Sequence, residues 1–475
     1  MKVCVMILCV GDVFYAADSK DVLSDYFTRK NIEYFFIDKL PENIDTRGAH
    51  PSWFKLLAHT ILPGYDFIIT WDLDLLPRSP YVDVIEEFNK LKFCICRDSG
   101  LIHHPEIIKQ LPFPPCFKYN CGLMGIPSKY KNFMENIFLK NAPGNSTTWE
   151  QNYVNIDLDR QNIDVCVLSD SLNTFHAFEP ASYTSKLIHY TWGVDAKNKI
   201  SNHRRKYFEA IDLQTTLQTI NINTDKTIPK IIHQIAPADK SKWHPIWTEC
   251  HYSWKKHFPS PEYQHILWND DMDIDNLVRD SFPQLYDMFK SYPKNIQRID
   301  LARYLILYKF GGIYADMDFI CLKNFFKDID NTNVHIVEHP TEYLKFCYLQ
   351  NSLMASPKSS KFLEKCILEA SLRGYHWDKS SSFTENISYT TGPALISDIF
   401  KESPDLASGL PNNLFNPIKS FEYDSPIHNE SSCFTKHYGT SSWFKEEDSI
   451  VNTSELSNKA NIKLPNYYPK WLKKM

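Results

Sequence analysis

The segment Ile296–Asp318, IQRIDLARYLILYKFGGIYADMD, decides the fold of the second half of the chain. Its first part repeats apolar side chains at every third or fourth position, which predicts an amphipathic helix. Gly311 suits the left-handed position that ends a helix, and Gly312 lets the backbone approach another group closely. A short apolar run then leads into Asp316 and Asp318. The segment therefore predicts a helix, a buried strand, and two carboxylates where that strand ends.

The two aspartates predict a binding site for a divalent cation. Residues two apart on an extended chain point to the same side, so Asp316 and Asp318 would repel each other without a cation between them. Carboxylate oxygens are the ligands that Mg²⁺ and Mn²⁺ prefer. A diphosphate is the natural third partner, because the cation would neutralise its charge as it leaves. On the preceding helix, Asp300 and Arg303 share one face.

The first half of the chain repeats this arrangement. The apolar run Tyr65–Trp71 predicts a buried strand, and it leads into Asp72 and Asp74. A later strand-like run ends in His189, and a histidine at a strand end can be a third metal ligand beside such a pair. Short strands alternate with helical stretches in both halves, which predicts an α/β protein.

The second half, from Ile228 to Phe444, resembles glycosyltransferase family 32. That family has an Arg-x-Asp-x-x-Arg-Tyr helix followed by Gly-Gly-(Ile/Val)-Tyr-x-Asp-x-Asp. The residues that match are Arg298, Asp300, Arg303, Tyr304, Gly311, Gly312, Ile313, Tyr314, Asp316 and Asp318. Thr391-Gly392-Pro393 is similar to a family turn, and His437 to Trp443 is similar to its closing His-x-x-x-Ser-Trp element.

This resemblance implies three sets of site residues. The residues expected to carry catalysis are Asp300, Arg303 and Asn351. Those expected to bind the donor are Arg298, Gly312, Tyr314, Asp316, His437 and Trp443. Those expected to bind the metal are Asp316 and Asp318.

The first half, roughly Met1 to Phe208, resembles glycosyltransferase family 8 more loosely. The family's aspartate pair, Asn-x-Gly strand, acid-Gln-x-x-Asn segment and late histidine correspond to Asp72, Asp74, Asn120, Gly122, Glu150, Gln151 and His189. The family's late His-x-x-Gly-x-x-Lys-Pro-Trp motif is absent. The resemblance implies donor binding by Asp72, Asn120, Gly122 and Gln151. It implies metal binding by Asp72, Asp74 and His189.

The composition narrows the class of protein. The chain has 475 residues, of which 43% are hydrophobic and 23% charged, as in a globular protein long enough for two domains. A net charge of −5 argues against a nucleic-acid partner. No stretch approaches the roughly 18 apolar residues of a membrane span. We therefore expect no integral membrane segment and a cytoplasmic location, in the host cytoplasm if the source is a virus.

Both resemblances imply two α/β domains of the GT-A type, each with a mixed central sheet flanked by helices. We predict one domain over residues 1–213, a linker over 214–227, a second domain over 228–445 and a polar tail over 446–475. The linker follows from a polar stretch that contains few aromatic residues.

The function predicted from these patterns is metal-dependent, retaining and bifunctional glycosyl transfer. Mn²⁺ or Mg²⁺ would bind a nucleotide-sugar donor, with a UDP-sugar favoured over a GDP-sugar, and the acceptor would be a glycan or glycoprotein. Two alternatives stay open. In one, only the second half is active and a degenerate first half positions the acceptor. In the other, the chain binds glycans without catalysis.

Overall fold

The computed structural model describes residues 1–11, 13–98, 118–142, 150–176, 185–190, 195–220, 226–339, 348–374, 383–417 and 432–440. The chain forms two compact units, Met1–Phe208 (unit 1) and Glu209–Met475 (unit 2). The predicted residues Trp443 and 446–475 lie outside the described ranges.

Unit 1 is built on short strands. They are β1 (Val3–Leu8), β2 (Tyr34–Ile37), β3 (Phe67–Trp71), β4 (Leu75–Pro77), β5 (Phe93–Arg97), β6 (Tyr119–Pro127), β7 (Val165–Val167), β8 (Thr174–Phe175) and β9 (Leu187–His189). Its helices are α1 (Ala16–Arg29), α2 (Ala58–Ile61), α3 (Lys131–Asn141) and α4 (Glu150–Arg160), with a 3₁₀ helix at Pro51–Leu57.

Six of these strands form a mixed sheet in the order β2-β1-β3-β6-β5-β7. Strand β1 is parallel to β2 and β3, β6 is antiparallel to β3 and β5, and β7 is parallel to β5. Strand β3 is buried along its whole length, as a continuous apolar run predicts. A smaller sheet joins β4, β9 and β8.

Unit 2 also contains short strands in its described residues. They are β10 (Ile231–Ala236), β11 (Gln264–Asn269), β12 (Gly312–Ala315), β13 (Phe319–Cys321), β14 (Val334–Glu338), β15 (Leu349–Ser356), β16 (Ala407–Leu410) and β17 (Thr435–His437). Helix α5 (Ala196–Ile220) runs into unit 2 from unit 1. The other helices are α6 (Pro245–His257), α7 (Met272–Ser281), α8 (Pro283–Ser291), α9 (Asn295–Phe310), α10 (Lys361–Arg373), α11 (Phe383–Thr390), α12 (Pro393–Glu402) and α13 (Asn412–Phe415).

The main sheet of unit 2 repeats the order of the first, β11-β10-β12-β15-β14-β16. The directions repeat as well. Strand β10 is parallel to β11 and β12, β15 is antiparallel to β12 and β14, and β16 is parallel to β14. In both units the six strands thus stand in the chain order second, first, third, fifth, fourth, sixth. The prediction of an α/β protein with mixed sheets and helices is confirmed.

The segment that opened the sequence analysis folds as predicted. Helix α9 ends at Gly311, whose φ of +64° favours glycine, and β12 then leads into Asp316. The close approach predicted at Gly312 is to the neighbouring strand. A Cβ there would lie 2.5 Å from the carbonyl oxygen of Ile231 on the neighbouring strand. Its missing side chain therefore lets two strands approach each other.

The predicted linker over 214–227 was wrong for residues 214–220, which continue helix α5. Ala210, Leu213 and Leu217 recur at helical spacing and are buried, so they hold this part of the helix on the protein. Residues 221–225 lie outside the described ranges. In the described part of the chain, no helix is long and apolar enough to cross a membrane.

Candidate active sites

In unit 1, two short strands bring the predicted metal ligands together. The backbone N–H of Asp72 donates to the carbonyl of Gly122 at 2.8 Å, so the aspartate pair begins beside β6. Strand β4 follows at once and pairs antiparallel with β9, which sets Leu75 opposite His189. The Nε2 atom of His189 lies 3.3 Å from Asp74 Oδ1 and 3.9 Å from Asp72 Oδ2. We call these three residues, Asp72, Asp74 and His189, the unit 1 triad.

A buried lysine holds the first aspartate of this triad. Lys55 comes from the 3₁₀ helix before β3, and its Nζ lies 2.7 Å from Asp72 Oδ1 and 3.2 Å from the carbonyl oxygen of Cys121. The same Nζ lies 3.3 Å from Glu150 Oε1. Lys55 and Glu150 are 4% and 5% exposed, so this ion pair is shielded from water. The two aspartates of the triad and Glu150 thus contribute three carboxyl groups near one cationic side chain, Lys55.

The donor-binding residues predicted for unit 1 lie along β6 and α4. Gly122 borders the triad, because a Cβ there would lie 2.6 Å from His189 Cε1 and 3.3 Å from Asp72 Oδ2. The Asn120 Oδ1 atom accepts a hydrogen bond from the Gly122 N–H at 2.8 Å. Gln151 bridges two elements, since its Oε1 accepts from the Cys121 N–H and its Nε2 donates to Asp98 Oδ2, each at 3.2 Å.

Unit 2 assembles a triad in the same way. The Asp316 N–H donates to the carbonyl of Ser352 on β15 at 2.9 Å. Strand β13 follows and pairs antiparallel with β17, which sets Phe319 opposite His437. The His437 Nε2 lies 3.2 Å from Asp318 Oδ1. We call Asp316, Asp318 and His437 the unit 2 triad.

This placement gives His437 a second candidate role besides the predicted donor binding. It stands beside Asp318 as His189 stands beside Asp74. Its ring stacks on Phe319, with centroids 4.3 Å apart. On the other side of the aspartate, Thr440 donates its N–H and its hydroxyl to Asp318 Oδ2 at 2.8 and 3.1 Å.

The residues predicted to be catalytic in unit 2 form one buried network with the triad. Arg303 places one nitrogen 3.0 Å from Asp300 Oδ1 and another 3.0 Å from Asp316 Oδ1. The amide of Asn351 donates to Asp300 Oδ1 at 2.9 Å. Tyr314, a predicted donor-binding residue, donates its hydroxyl to Asp316 Oδ1 at 2.7 Å. The side chains of Arg303, Asn351 and Tyr314 therefore converge on the carboxylates of Asp300 and Asp316.

Arg298 takes a different direction from Asp300 on α9. Its guanidinium donates to the carbonyl oxygens of Lys290 and Tyr292 at 3.2 and 3.3 Å. Residues two apart on a helix lie on nearly opposite faces, which explains this separation. The structure thus gives Arg298 a helix-connecting contact, and its contact with the donor stays a prediction.

The two aspartates of each triad titrate differently. Burial raises the pKa of Asp316 to about 6, although Arg303 partly offsets this effect. Burial would also raise the pKa of Asp318, but His437 and the hydrogen bonds from Thr440 lower it to about 2. In unit 1 burial likewise raises the pKa of Asp72, whereas the neighbouring His189 outweighs burial and lowers that of Asp74.

Both triads fit a divalent cation. In each, one carboxylate oxygen per aspartate and one imidazole nitrogen lie within 4.8 Å of one another. The Nδ1 of His189 lies 2.7 Å from Asn173 Oδ1, which leaves Nε2 facing the aspartates. That Nε2 is buried and makes no hydrogen bond, although it lies 3.3 Å from Asp74 Oδ1, so its lone pair is available to a cation. Two carboxylates and an imidazole suit Mn²⁺ or Mg²⁺.

Sequence reasoning missed the residues that support the triads. Lys55, Thr440 and the metal-ligand position of His437 were not predicted. Lys55 lies in the helical segment before the aspartate strand, as Arg303 does in unit 2, and only a comparison of the two halves would reveal this common position. Thr440 carries no such signal.

Residues 245–336 match the family described as "Glycosyltransferase sugar-binding region containing DXD motif". The matched range includes Asp300, Arg303 and both aspartates of the unit 2 triad. The region that carries the aspartates of the unit 2 triad is therefore similar to glycosyltransferases, as predicted.

The relatives include "Inositol phosphoceramide mannosyltransferase 2" of Schizosaccharomyces pombe, 38% identical over 22% of this chain and 29% of the relative. "Mannosyl phosphorylinositol ceramide synthase CSH1" of Saccharomyces cerevisiae is 29% identical over 48% of this chain and 56% of the relative. The chain thus spans about a third to a little over half of these two relatives. A solved glycosyltransferase involved in glycosylation of the major capsid of PBCV-1 is 14% identical, with a TM-score of 0.32, over 42% of this chain and 99% of that one.

Proposed function

We propose that the chain is a divalent-cation-dependent, retaining glycosyltransferase with one transfer site in each unit, and that both units are GT-A domains. One observation carries the proposal. Each unit places an Asp-x-Asp pair after the third strand of its main sheet and a histidine opposite the residue that follows the pair. A binding module needs no second copy of such a triad.

The donor would be a nucleoside-diphosphate sugar bound through the cation. A cation held by each triad would stabilise the charge of the departing diphosphate. Lys55 and Arg303 hold the first aspartate of their triads in place. Because both side chains are buried, they fix the aspartates before the donor arrives.

In unit 2 we propose that the departing phosphate, and no carboxylate of the protein, assists the acceptor hydroxyl. Asp300 and Asp316 are both engaged by Arg303, and Asp318 is engaged by His437 and Thr440. None of these carboxylates is left to attack the sugar. The acceptor would therefore approach from the face that the phosphate leaves, which retains the anomeric configuration.

The names of the relatives suggest which substrates to test first. Because those relatives are mannosyltransferases, we propose mannose as the sugar of unit 2. The acceptor of each unit would be a hydroxyl of a glycan on a protein or on a lipid. Neither the relatives nor the triad indicates which sugar unit 1 transfers.

The test is donor turnover. The protein is incubated with UDP- and GDP-sugars, including GDP-mannose, with Mn²⁺ or with chelator, and released nucleotide is measured. Asp74→Asn and Asp318→Asn run alongside, with glycans and inositol-phosphate lipids as acceptors. We expect two metal-dependent activities, each lost with a different aspartate.

Other results would decide between the alternatives. One activity, lost only with Asp318→Asn, would make unit 1 a scaffold that positions the acceptor. Glycan binding that chelator does not affect, without turnover of any donor in the presence of acceptors, would favour a binding protein and overturn the proposal.

A further inference from the structure

A closed ring of hydrogen bonds surrounds the carboxylate of Asp300 in unit 2. The amide Nδ2 of Asn351 donates to Asp300 Oδ1 at 2.9 Å and to the Tyr304 hydroxyl at 3.1 Å. That hydroxyl donates to the carbonyl oxygen of Thr391 at 2.6 Å. The Thr391 hydroxyl then donates to Asp300 Oδ2 at 3.2 Å, which closes the ring.

The proton count of this ring is consistent. The amide of Asn351 uses its two protons on two acceptors, and the Tyr304 hydroxyl accepts one and donates one. The single proton of the Thr391 hydroxyl has a choice between Asp300 Oδ2 and the carbonyl oxygen of Ile387 at 3.5 Å. The carboxylate is nearer and charged, so it takes the proton.

The ring members are all buried. Tyr304 and Thr391 are fully buried, and Asp300 and Asn351 are 2% and 3% exposed. Water therefore cannot replace a lost partner easily, and a carboxylate without partners there would be costly. The ring fixes both oxygens of Asp300 in one orientation.

Through Asp300 the ring reaches the unit 2 triad. Asp300 Oδ1 holds one nitrogen of Arg303, whose other nitrogen holds Asp316 Oδ1. Each link is a charged contact of 3.0 Å, and Asp300 and Arg303 are buried while Asp316 is partly exposed. A rotation of the Asp300 carboxylate would therefore move the guanidinium and with it the first aspartate of the triad.

We propose that Thr391 is a positioning residue of unit 2, whose hydroxyl orients Asp300 and, through Arg303, the cation-binding carboxylate of Asp316. The inference rests on the proposed function, and it adds a residue for which the resemblance gave only a turn. Cys121 of unit 1 corresponds to Asn351 of unit 2, because the carbonyl oxygen of each lies beside the cationic side chain of its unit, Lys55 or Arg303. Unit 1 therefore has a cysteine where unit 2 has the asparagine of the ring.

The test compares Thr391→Val with Thr391→Ser. Valine keeps the shape and removes the hydroxyl, whereas serine keeps the hydroxyl. Both are made in an Asp74→Asn background, so that only the unit 2 triad binds, and Mn²⁺ affinity and stoichiometry are measured by electron paramagnetic resonance. We expect Thr391→Val to weaken Mn²⁺ binding about fivefold at unchanged stoichiometry, and Thr391→Ser to stay near the parent.

A second variant keeps the test informative if Thr391→Val fails to fold. Tyr304→Phe breaks the ring at another member, and we expect a similar loss of affinity. In the double variant the losses should not multiply, because both changes open one ring. Losses that multiply would show independent effects and would contradict a ring that acts as a unit.

Three further results are decisive. An unchanged Mn²⁺ affinity in Thr391→Val would overturn the positioning role. A lower stoichiometry with the parent affinity would show structural damage alone, and would overturn it as well. If the Asp74→Asn parent binds no Mn²⁺ but still turns over donor, the inference fails while transfer stands; without either, the proposed function fails too.

Discussion

In unit 1 the first aspartate of the triad is held by Lys55, and in unit 2 the corresponding aspartate is held by Arg303. Both cations also face a carbonyl oxygen of the neighbouring antiparallel strand and a third carboxyl group. That third group comes from different places. Glu150 is the first residue of helix α4, which comes after β6 and α3 in the chain, whereas Asp300 lies on helix α9, which precedes β12.

The difference teaches that the strand arrangement, rather than one particular motif, defines the triad. The order of the strands and the antiparallel pairs β4–β9 and β13–β17 are common to the units. The supporting charges come from whichever element is near. The third carboxyl groups of the two units also differ in their hydrogen bonds. Glu150 Oε2 has no hydrogen-bond partner, whereas both oxygens of Asp300 accept hydrogen bonds.

The largest expected effect comes from a substitution at a strand position that both units share, Gly122 in unit 1 and Ser352 in unit 2. Gly122→Ala places a methyl group 2.6 Å from His189 Cε1, so the histidine must move. We expect unit 1 turnover to fall about 100-fold. Ser352→Ala, at the position of unit 2 whose carbonyl also accepts from the first aspartate, should change turnover far less. Equal losses in both units would break the comparison.

Removing the buried cation of unit 1 tests its structural role. Lys55→Met leaves Glu150 buried without a counter-charge and removes the cation beside the partly exposed Asp72, so the free energy of unfolding should fall by about 3 kcal/mol. Urea unfolding of the metal-free protein measures it. Lys92→Met, which breaks an exposed pair with Asp164, is the matched control and should leave the unfolding midpoint unchanged. A similar small effect of both variants would contradict the account.

The pH dependence of metal binding should follow the first aspartate of unit 2. Burial raises the pKa of Asp316 to about 6, so this carboxyl group gains a proton as pH falls through that value. The cation needs Asp316 ionised and His437 neutral, and Asp318 outweighs burial and raises the pKa of His437. Mn²⁺ affinity of an Asp74→Asn protein should therefore fall by more than about tenfold per pH unit below about 6, because two ligands take up protons. Asp318 stays ionised there, because its pKa is about 2. An affinity that is constant from pH 7 to pH 4.5 would contradict this prediction.

The smallest effects concern how each histidine is oriented. Asn173→Ala removes the partner of His189 Nδ1, and Mn²⁺ affinity of unit 1 should fall about tenfold. Phe319→Leu removes the ring stacked on His437, and the affinity of unit 2 should fall about threefold. Calorimetric titration of single-triad proteins measures both. The reverse ranking would show that stacking orients the ligand better than a hydrogen bond does.

Sequence patterns could predict the aspartate strands because both signals are local. A fully apolar run ending in Asp-x-Asp needs no knowledge of distant residues, and Gly311 marks the end of α9 in the same local way. His189 was also predicted as a ligand, since it ends a strand. The α/β class followed from these alternating elements.

The rest depends on contacts between distant residues. Lys55 and Asp72 are 17 positions apart in the sequence, and Lys55 meets Glu150 only in the folded chain. No pattern within one half of the sequence therefore predicts either pairing. The register of β13 with β17 decides that His437 faces Asp318. The helix over residues 214–220 was not predicted, because most of its residues are polar and the buried Leu217 holds it on the protein.

The central claim is that each unit binds one divalent cation through its own triad. The most direct measurement is the number of Mn²⁺ ions bound by the whole chain and by Asp74→Asn, Asp318→Asn and the double variant. We predict two ions for the whole chain, one for each single variant and none for the double variant. A single ion in the whole chain, lost with only one of the aspartates, would contradict the claim that the two units are equivalent.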